Sequence, residues 1–334
     1  MAEIVLGMGS SHAPQLEMPP DTWRTYAQGN RRSNEHWFEG KTYTFQELVD
    51  ARAADHFEKE CTDEKFQARW DSCQSAIKHL SETLEKAKPD VCVILGDDQH
   101  EAFDDDNMPA LAIYYGATLD DDPEARGPRG ELSDPKVANR PKGRATHPAH
   151  AELGEYLIET MIENEFDVAR SNQIPPGRRG DRAIGHAFHY VYRRLMDNQV
   201  TPSVPIMVNT YYPPNTPTAM RCYKFGQSLG KAIKEWGNGN GTRVALFASG
   251  GLSHTVIEEA LDSQIIDGLR TNDIEKLTDY PDVRFRAGTS EIKNWIILGG
   301  AMAGAGLQMN LVDYVPCYRT EAGNGCAMGF AEWV

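Results

Sequence analysis

The sequence predicts an α/β fold: a single large domain with a mostly parallel central sheet flanked by helices, and a metal site at the C-terminal ends of the strands. Three observations predict it. Apolar runs of strand length alternate with helical periodicities along the 334 residues, the pattern that builds a largely parallel sheet. One run, Val91-Cys92-Val93-Ile94-Leu95, is apolar throughout, as expected of a strand covered on both faces. His12, His100 and His254 each follow an apolar run and a short turn of Gly, Ser or Asp, the position where open α/β sheets hold their ligands.

Residues 3–8 read as a buried strand entering Gly9-Ser10-Ser11-His12. Residues 17–60 are polar and irregular but contain Trp23, Tyr26, Trp37, Phe38, Tyr43 and Phe45. Aromatics in a polar stretch indicate a packed excursion, a lid or a subunit-interface insertion. Thr44 and Glu47 have the spacing of a capping box that opens a helix. Over 64–88, Phe66, Trp70, Cys73, Ile77, Leu80 and Leu84 recur at three- and four-residue spacings, and Pro89 ends the helix. Strands follow at 91–95 and 110–115. Residues 117–148, rich in Asp, Pro, Gly and Arg, read as a long loop.

A helix is expected at about 150–164, a strand near 166–169 and a loop over 171–183, leading to a helix that begins near Ile184. The pattern continues with a strand at 204–209, a helix at 217–236 and a strand at 242–248. Helical pieces cover 255–279, a helix covers 290–304, and a strand near 309–315 closes the chain. Gly237-Asn238-Gly239-Asn240-Gly241 follows a helix and precedes a strand, so it is a turn and not a phosphate loop. No boundary divides the chain, and residues 1–334 read as one catalytic domain.

The formal net charge is -15. Nucleic acid and anionic membranes reward positive surface, so neither is an expected partner. None of the six cysteines forms a C-x-x-C pair, which argues against a zinc knuckle. Scattered cysteines and a start without a signal-peptide pattern point to the cytoplasm. No stretch approaches the roughly 20 apolar residues of a membrane span.

There are ten histidines, few enough to weigh singly. His36, His56 and His79 lie in surface contexts. His147 and His150, beside Pro148, suit capping or solvation of a helix start. His186 and His189 are three apart and share a helical face; one active-site and one packing histidine is the preferred reading over a paired metal site. His12, His100 and His254 converge if their strands share one sheet edge. No histidine follows His254, so a third ligand from the C-terminal region must be Asp or Glu. Glu291 opens an apolar helix, where it is either a ligand or a favourable charge at the helix N-terminus. Two imidazoles and one carboxylate with open positions form the facial triad of non-haem Fe(II) oxygenases.

The chain resembles the class III extradiol ring-cleavage dioxygenases, the superfamily of the protocatechuate 4,5-dioxygenase catalytic β subunit. The resemblance rests on Ser10-Ser11-His12-Ala13-Pro14, the Asp-rich turn ending in His100, Gly185-His186, Asn209 through Pro214, Gly250-Gly251-Leu252-Ser253-His254, and Glu291 with Trp295 and Gly300-Ala301-Met302. These motifs extend over nearly the whole chain. The resemblance implies that His12, His100 and Glu291 bind Fe(II), that His254 is the acid–base residue, and that His186 contacts a substrate oxygen. Where the family carries an Asn-Asp-His turn, this chain has Asp98-Gln99-His100. With 17–60 inserted and Tyr318-Arg319-Thr320-Glu321-Ala322-Gly323-Asn324-Gly325 near its end, it is most similar to the single-chain branch that includes 3-O-methylgallate dioxygenase. Residues 17–60 then stand in for a separate covering subunit.

The expected reaction is ring cleavage of a catechol- or gallate-type diol with both atoms of O2 incorporated. Aminophenol and hydroxypyridone rings are alternatives, and a homodimer is the expected assembly. Arg319 suits a substrate carboxylate, because its planar fork pairs bidentately, or else a salt bridge to Glu321. Thr320 and Asn324 are further substrate-binding candidates. The rival reading is a Zn(II) hydrolase using the same residues with water in place of O2.

Overall fold

The computed structural model describes residues 1–121, 143–176, 182–239 and 241–334. The first strand, β1 (Glu3–Ser10), is buried over most of its length. The excursion then forms α1 (Trp23–Arg32), a hairpin of β2 (His36–Phe38) and β3 (Lys41–Tyr43), and α2 (Phe45–Ala51). The capping box of α2 is formed: Glu47 N donates to Thr44 Oγ1 at 3.3 Å, and Thr44 N donates to Glu47 Oε2 at 2.8 Å. Helix α3 (Asp63–Ala87) starts at a Thr62 cap and stops at Lys88 in the left-handed conformation, just before Pro89.

The strand β4 (Val91–Asp97) is buried at every residue. It is followed by β5 (Leu111–Tyr114), the hairpin strands β6 (Thr118–Asp121) and β7 (Ala145–Pro148), and α4 (Ala151–Glu163). Next come β8 (Ala169–Ser171), α5 (His186–Tyr190) continued by a π-helical turn at Val191–Leu195, β9 (Ser203–Val208) and α6 (Ala219–Glu235). The last third holds β10 (Arg243–Ser249), β11 (His254–Val256), α7 (Glu259–Thr271), α8 (Ile274–Thr278), α9 (Ile292–Met302), β12 (Met309–Tyr318) and β13 (Asn324–Trp333).

The main sheet runs β11-β13-β1-β10-β4-β9-β5-β8, with β12 added on β13. Its centre is parallel: β1 pairs with β10, β10 with β4, and β4 with β9. Antiparallel strands flank it, β5 against β9 on one side and β13 against β1 on the other. Side-chain alternation divides the core between the two faces. Val91, Val93 and Leu95 pack with Leu157 of α4, Phe225 of α6 and Trp295 of α9. Cys92 and Ile94 pack with Phe66 and Leu80 of α3 and Phe188 of α5. The fold is the expected single α/β domain. Among the described residues no helix is long and apolar enough to cross a membrane.

Several expectations need correction. The chain does not close at 309–315: β12 extends to Tyr318, and β13, buried at all ten positions, returns beside β1. Its Gly and Ala content gives it little strand propensity, so tertiary burial decides its state. β11 lies in the stretch expected to be helical. The 117–148 loop carries β6 and β7 at its ends, while 122–142 and 177–181 lie outside the described residues.

Candidate metal centre

The parallel register places the site. Ser10 of β1 lies opposite Ser249 of β10, and Ser249 lies opposite Gly96 of β4. The three strands therefore end together, and the turns beyond them bring His12, Asp97 and the residues after Ser249 to one edge. Glu291 stands at the N-cap of helix α9, and Trp295 Nε1 donates to Gly250 O at 2.8 Å to fix that helix on the β10 turn.

His12 is held in one tautomer. Ser249 Oγ donates its only proton to Ala187 O at 2.7 Å, so it must accept from His12 Nδ1, 2.9 Å away. His12 Nε2 then carries a lone pair. It is buried without a hydrogen-bond partner and faces Glu291 Oε2 at 3.4 Å and Asp97 Oδ1 at 3.8 Å. Burial pushes the imidazole down to about 3, which keeps it neutral, as a metal ligand must be.

His186 Nδ1 lies 2.6 Å from Glu101 Oε2, and its backbone N donates to the same carboxylate. Its Nε2 faces Asp97 Oδ2 at 3.7 Å. His254 Nδ1 donates to Leu252 O at 2.8 Å, leaving Nε2 toward Glu291 Oε1 at 3.2 Å. Gly251 and Gly288 line the His254 ring: a Cβ on Gly288 would fall 2.0 Å from its Cδ2, and one on Gly251 would fall 2.7 Å from its Cε1. Glycine at both leaves the ring this position, because any Cβ there would displace it.

Glu291 accepts from Gly251 N at 2.7 Å and from Gln99 Nε2 at 3.3 Å. Burial alone would raise its pKa, but His254, His12 and the Gly251 N–H outweigh it and hold the carboxyl down to about 2. Asp97, buried beside Glu291, is pushed up to about 7. Two buried carboxylates opposite a neutral imidazole lone pair are the donor set of a cation site. The residues present therefore fit a divalent metal.

The structure does not gather all the residues expected here. His12, Glu291, His254 and His186 converge. His100 does not join them: its Nδ1 faces Phe103 O and Asp104 Oδ1, its Nε2 faces Asp105, and its ring lies against Tyr212. Asp98 turns the chain by accepting from Ala102 N and Phe103 N at 2.7 and 3.1 Å, and His100 takes a left-handed φ of 59°. Asp97 and Gln99 point inward as a result. Asp97 and Glu101 were not among the expected site residues. An acid ending a wholly buried strand was the available signal for Asp97.

Residues 319–324 build a turn. Thr320 Oγ1 donates to Asn324 Oδ1 and accepts from Ala322 N and Asn324 N. Asn324 Nδ2 reaches His36 Nδ1 and Thr255 O, so both side chains have their polar atoms engaged by the turn and its cover. Arg319 is buried, bonds Asn30 and Gln15, and lies over Tyr26. Glu321 pairs instead with Arg31 at 2.6 Å.

Other histidines sort by contact. His36 is buried, not a surface residue. His150 caps α4 through Leu153 N. His189 and His147 both pair with Asp121, so His189 is the packing partner of His186.

A groove of about 480 Å³ reaches Thr255, next in sequence to His254, and is walled by Asn30, Ser33, His36 and Trp37 of the excursion and by Tyr211, Arg286 and Ala287.

The profile of the family described as the catalytic LigB subunit of aromatic ring-opening dioxygenase matches residues 58–325. The chain belongs to this family. Within the LigB family it is 29% identical over 169 residues to a gallate dioxygenase of Pseudomonas putida, covering 46% of each chain. It is 26% identical over 179 residues to a 2,3-dihydroxyphenylpropionate/2,3-dihydroxicinnamic acid 1,2-dioxygenase of Comamonas testosteroni, covering 54% of this chain and 47% of that one. A protein of the same name from Photorhabdus laumondii is 25% identical over 182 residues, with 54% and 48% covered. The chain spans about half the length of the curated relatives it matches. The class III extradiol resemblance thus agrees with both the family and its named relatives.

Proposed function

We propose that the protein is a non-haem Fe(II)-dependent extradiol dioxygenase that opens the ring of a catechol- or gallate-type substrate and incorporates both atoms of O2. One observation carries the reading most directly: His12 Nε2, fixed as a buried lone pair, faces two carboxylates at the strand ends. His12 and, as the resemblance implies, Glu291 would hold the ion. Bound Fe(II) would supply the electron transfer between ring and O2 that no side chain can.

The remaining residues act on the substrate. In its neutral form, His254 Nε2 takes a proton from a diol hydroxyl and later returns it. Gly251 and Gly288 keep its ring in place for both transfers. His186, oriented by Glu101, presents Nε2 to the same space and hydrogen-bonds a substrate oxygen. The groove at Thr255 admits the ring, and the excursion walls it and excludes water. Arg286 lines the groove and Arg319 bonds Asn30 of its wall, and these two cations are proposed to meet a substrate carboxylate. The six cysteines are unpaired, which supports a cytoplasmic setting, and the assembly proposed is a homodimer.

Oxygen consumption tests the reading. Fe(II)-loaded protein, offered catechols and gallate-type acids, is expected to take up O2 only with a substrate, and isotopically labelled O2 should leave both atoms in the ring-opened product. Hydrolysis of an ester or amide panel by Zn(II)-loaded protein, without O2 uptake on any diol, would overturn it.

A further inference from the structure

We infer that Asp97 is a direct metal ligand beside His12 and takes the place that the resemblance gives to His100. The inference rests on the metal-dependent reading above and concerns which residues hold the ion.

Unsatisfied atoms give the first argument. His12 Nε2 and Asp97 Oδ1 are both buried without a hydrogen-bond partner, and they face each other at 3.8 Å. Buried polar atoms are almost always paired. A lone pair facing an acceptor oxygen is paired by a cation between them. Glu291 differs, because its two oxygens are already engaged by Gly251 N, Gln99 Nε2 and His254. Asp97 Oδ2 accepts from Gln99 Nε2 at 3.0 Å, which orients the carboxylate and leaves Oδ1 for the ion.

Spacing gives the second. Donor atoms about 2.1 Å from one ion stand roughly 3 to 4 Å apart. Asp97 lies 3.8 Å from His12 Nε2 and 3.7 Å from His186 Nε2, and the three donors fall within 4.8 Å of one another. Among the described residues the other such group is His100 with Asp104 and Asp105, on the far side of the turn and more exposed. No such group contains both His100 and His12.

Outer contacts give the third. A ligating histidine usually gives its other ring nitrogen to a carboxylate or another fixed acceptor. His12 has Ser249 at 2.9 Å. His100 Nδ1 is shared between a carbonyl and Asp104 while its Nε2 faces Asp105, so neither nitrogen is directed at the centre. Gln99, not His100, is the turn residue that reaches Glu291.

The test is anaerobic Co(II) titration of the full chain, read by calorimetry and by the d–d absorption of the bound ion. Wild type is expected to bind one Co(II). Asp97→Ala should lose more than about 100-fold in affinity, beyond the 10–100-fold typical of lost outer contacts. Asp97→Asn preserves size and folding, and should also weaken binding and shift the d–d bands. His100→Ala should keep the wild-type spectrum and an affinity within about threefold, well short of the outer-contact range. Loss of the ion in His100→Ala, or unchanged bands in Asp97→Asn, would overturn the assignment of Asp97. Absence of any Co(II) or Fe(II) binding by wild type would instead overturn the metal-dependent reading itself.

Discussion

His254 and Glu291 form a pair inside the site, with His254 Nε2 3.2 Å from Glu291 Oε1, while the second oxygen of Glu291 faces His12 at 3.4 Å. Burial would push the His254 pKa down, but Glu291 and Cys326 outweigh it and raise the pKa well above its ordinary value. One carboxylate thus links the proposed acid–base ring to the proposed metal ligand.

That link separates two variants. His254→Ala should retain the metal and still bind a diol, yet turn over at least about 100-fold more slowly, the lower end of general acid–base assistance. Metal content by atomic absorption beside single-turnover rates checks it. Loss of the ion would make His254 a ligand.

Glu291→Ala should weaken metal binding and abolish ring cleavage, because it removes at once a charge that faces His12 and the acceptor for Gly251 N. Full occupancy with normal turnover would remove Glu291 from the site.

Gly288→Ala should leave folding and metal content near wild type but slow turnover at saturating diol. The new methyl would fall 2.0 Å from His254 Cδ2, so the ring must shift, and proton transfer depends on its position. An unchanged kcat would show that the ring position is unimportant.

The excursion divides by depth. Trp23 is buried against Phe66, ring centroids 5.2 Å apart, so Trp23→Ala should cost about 3–5 kcal/mol of stability, as large-to-small core changes do. Trp37 lines the groove, so Trp37→Ala should raise KM and speed oxidative inactivation of the proposed metal centre with little change in Tm. Light scattering alongside kinetics distinguishes a groove wall from a homodimer contact. Unchanged KM with unchanged mass would leave Trp37 no part in covering the site.

Asp121 carries an acid dependence. Burial would raise its carboxyl, but His147 and His189 outweigh it and hold the pKa down to about 2. A depressed carboxylate stabilises the fold above its unfolded pKa and loses that stabilisation as pH falls through the folded one. Asp121→Asn should therefore cost about 2 kcal/mol near neutral pH, the worth of that depression. The gap from wild type should close between about pH 4 and pH 2, measured by urea unfolding at stepped pH. A gap constant over that range would assign the loss to hydrogen bonding alone.

The sequence by itself determined the α/β class, because β4 is apolar throughout and Thr44, Thr62 and Pro89 punctuate helices by local chemistry. It also pointed to His12, His254 and Glu291 as residues that could converge, since polar residues past the ends of neighbouring parallel strands, or opening a helix packed on them, can meet at one sheet edge. Tertiary structure alone decided the rest. β13 forms because β1, β11 and β12 bury it on both edges, an effect that its Gly- and Ala-containing sequence does not announce. The turn after β4 was decided in the same way. Asp98 binds two backbone N–H groups, His100 adopts a positive φ, and the inward positions become Asp97 and Gln99. Which of four consecutive polar residues faces the centre depends on backbone dihedrals, and those are set by contacts that sequence spacing does not encode.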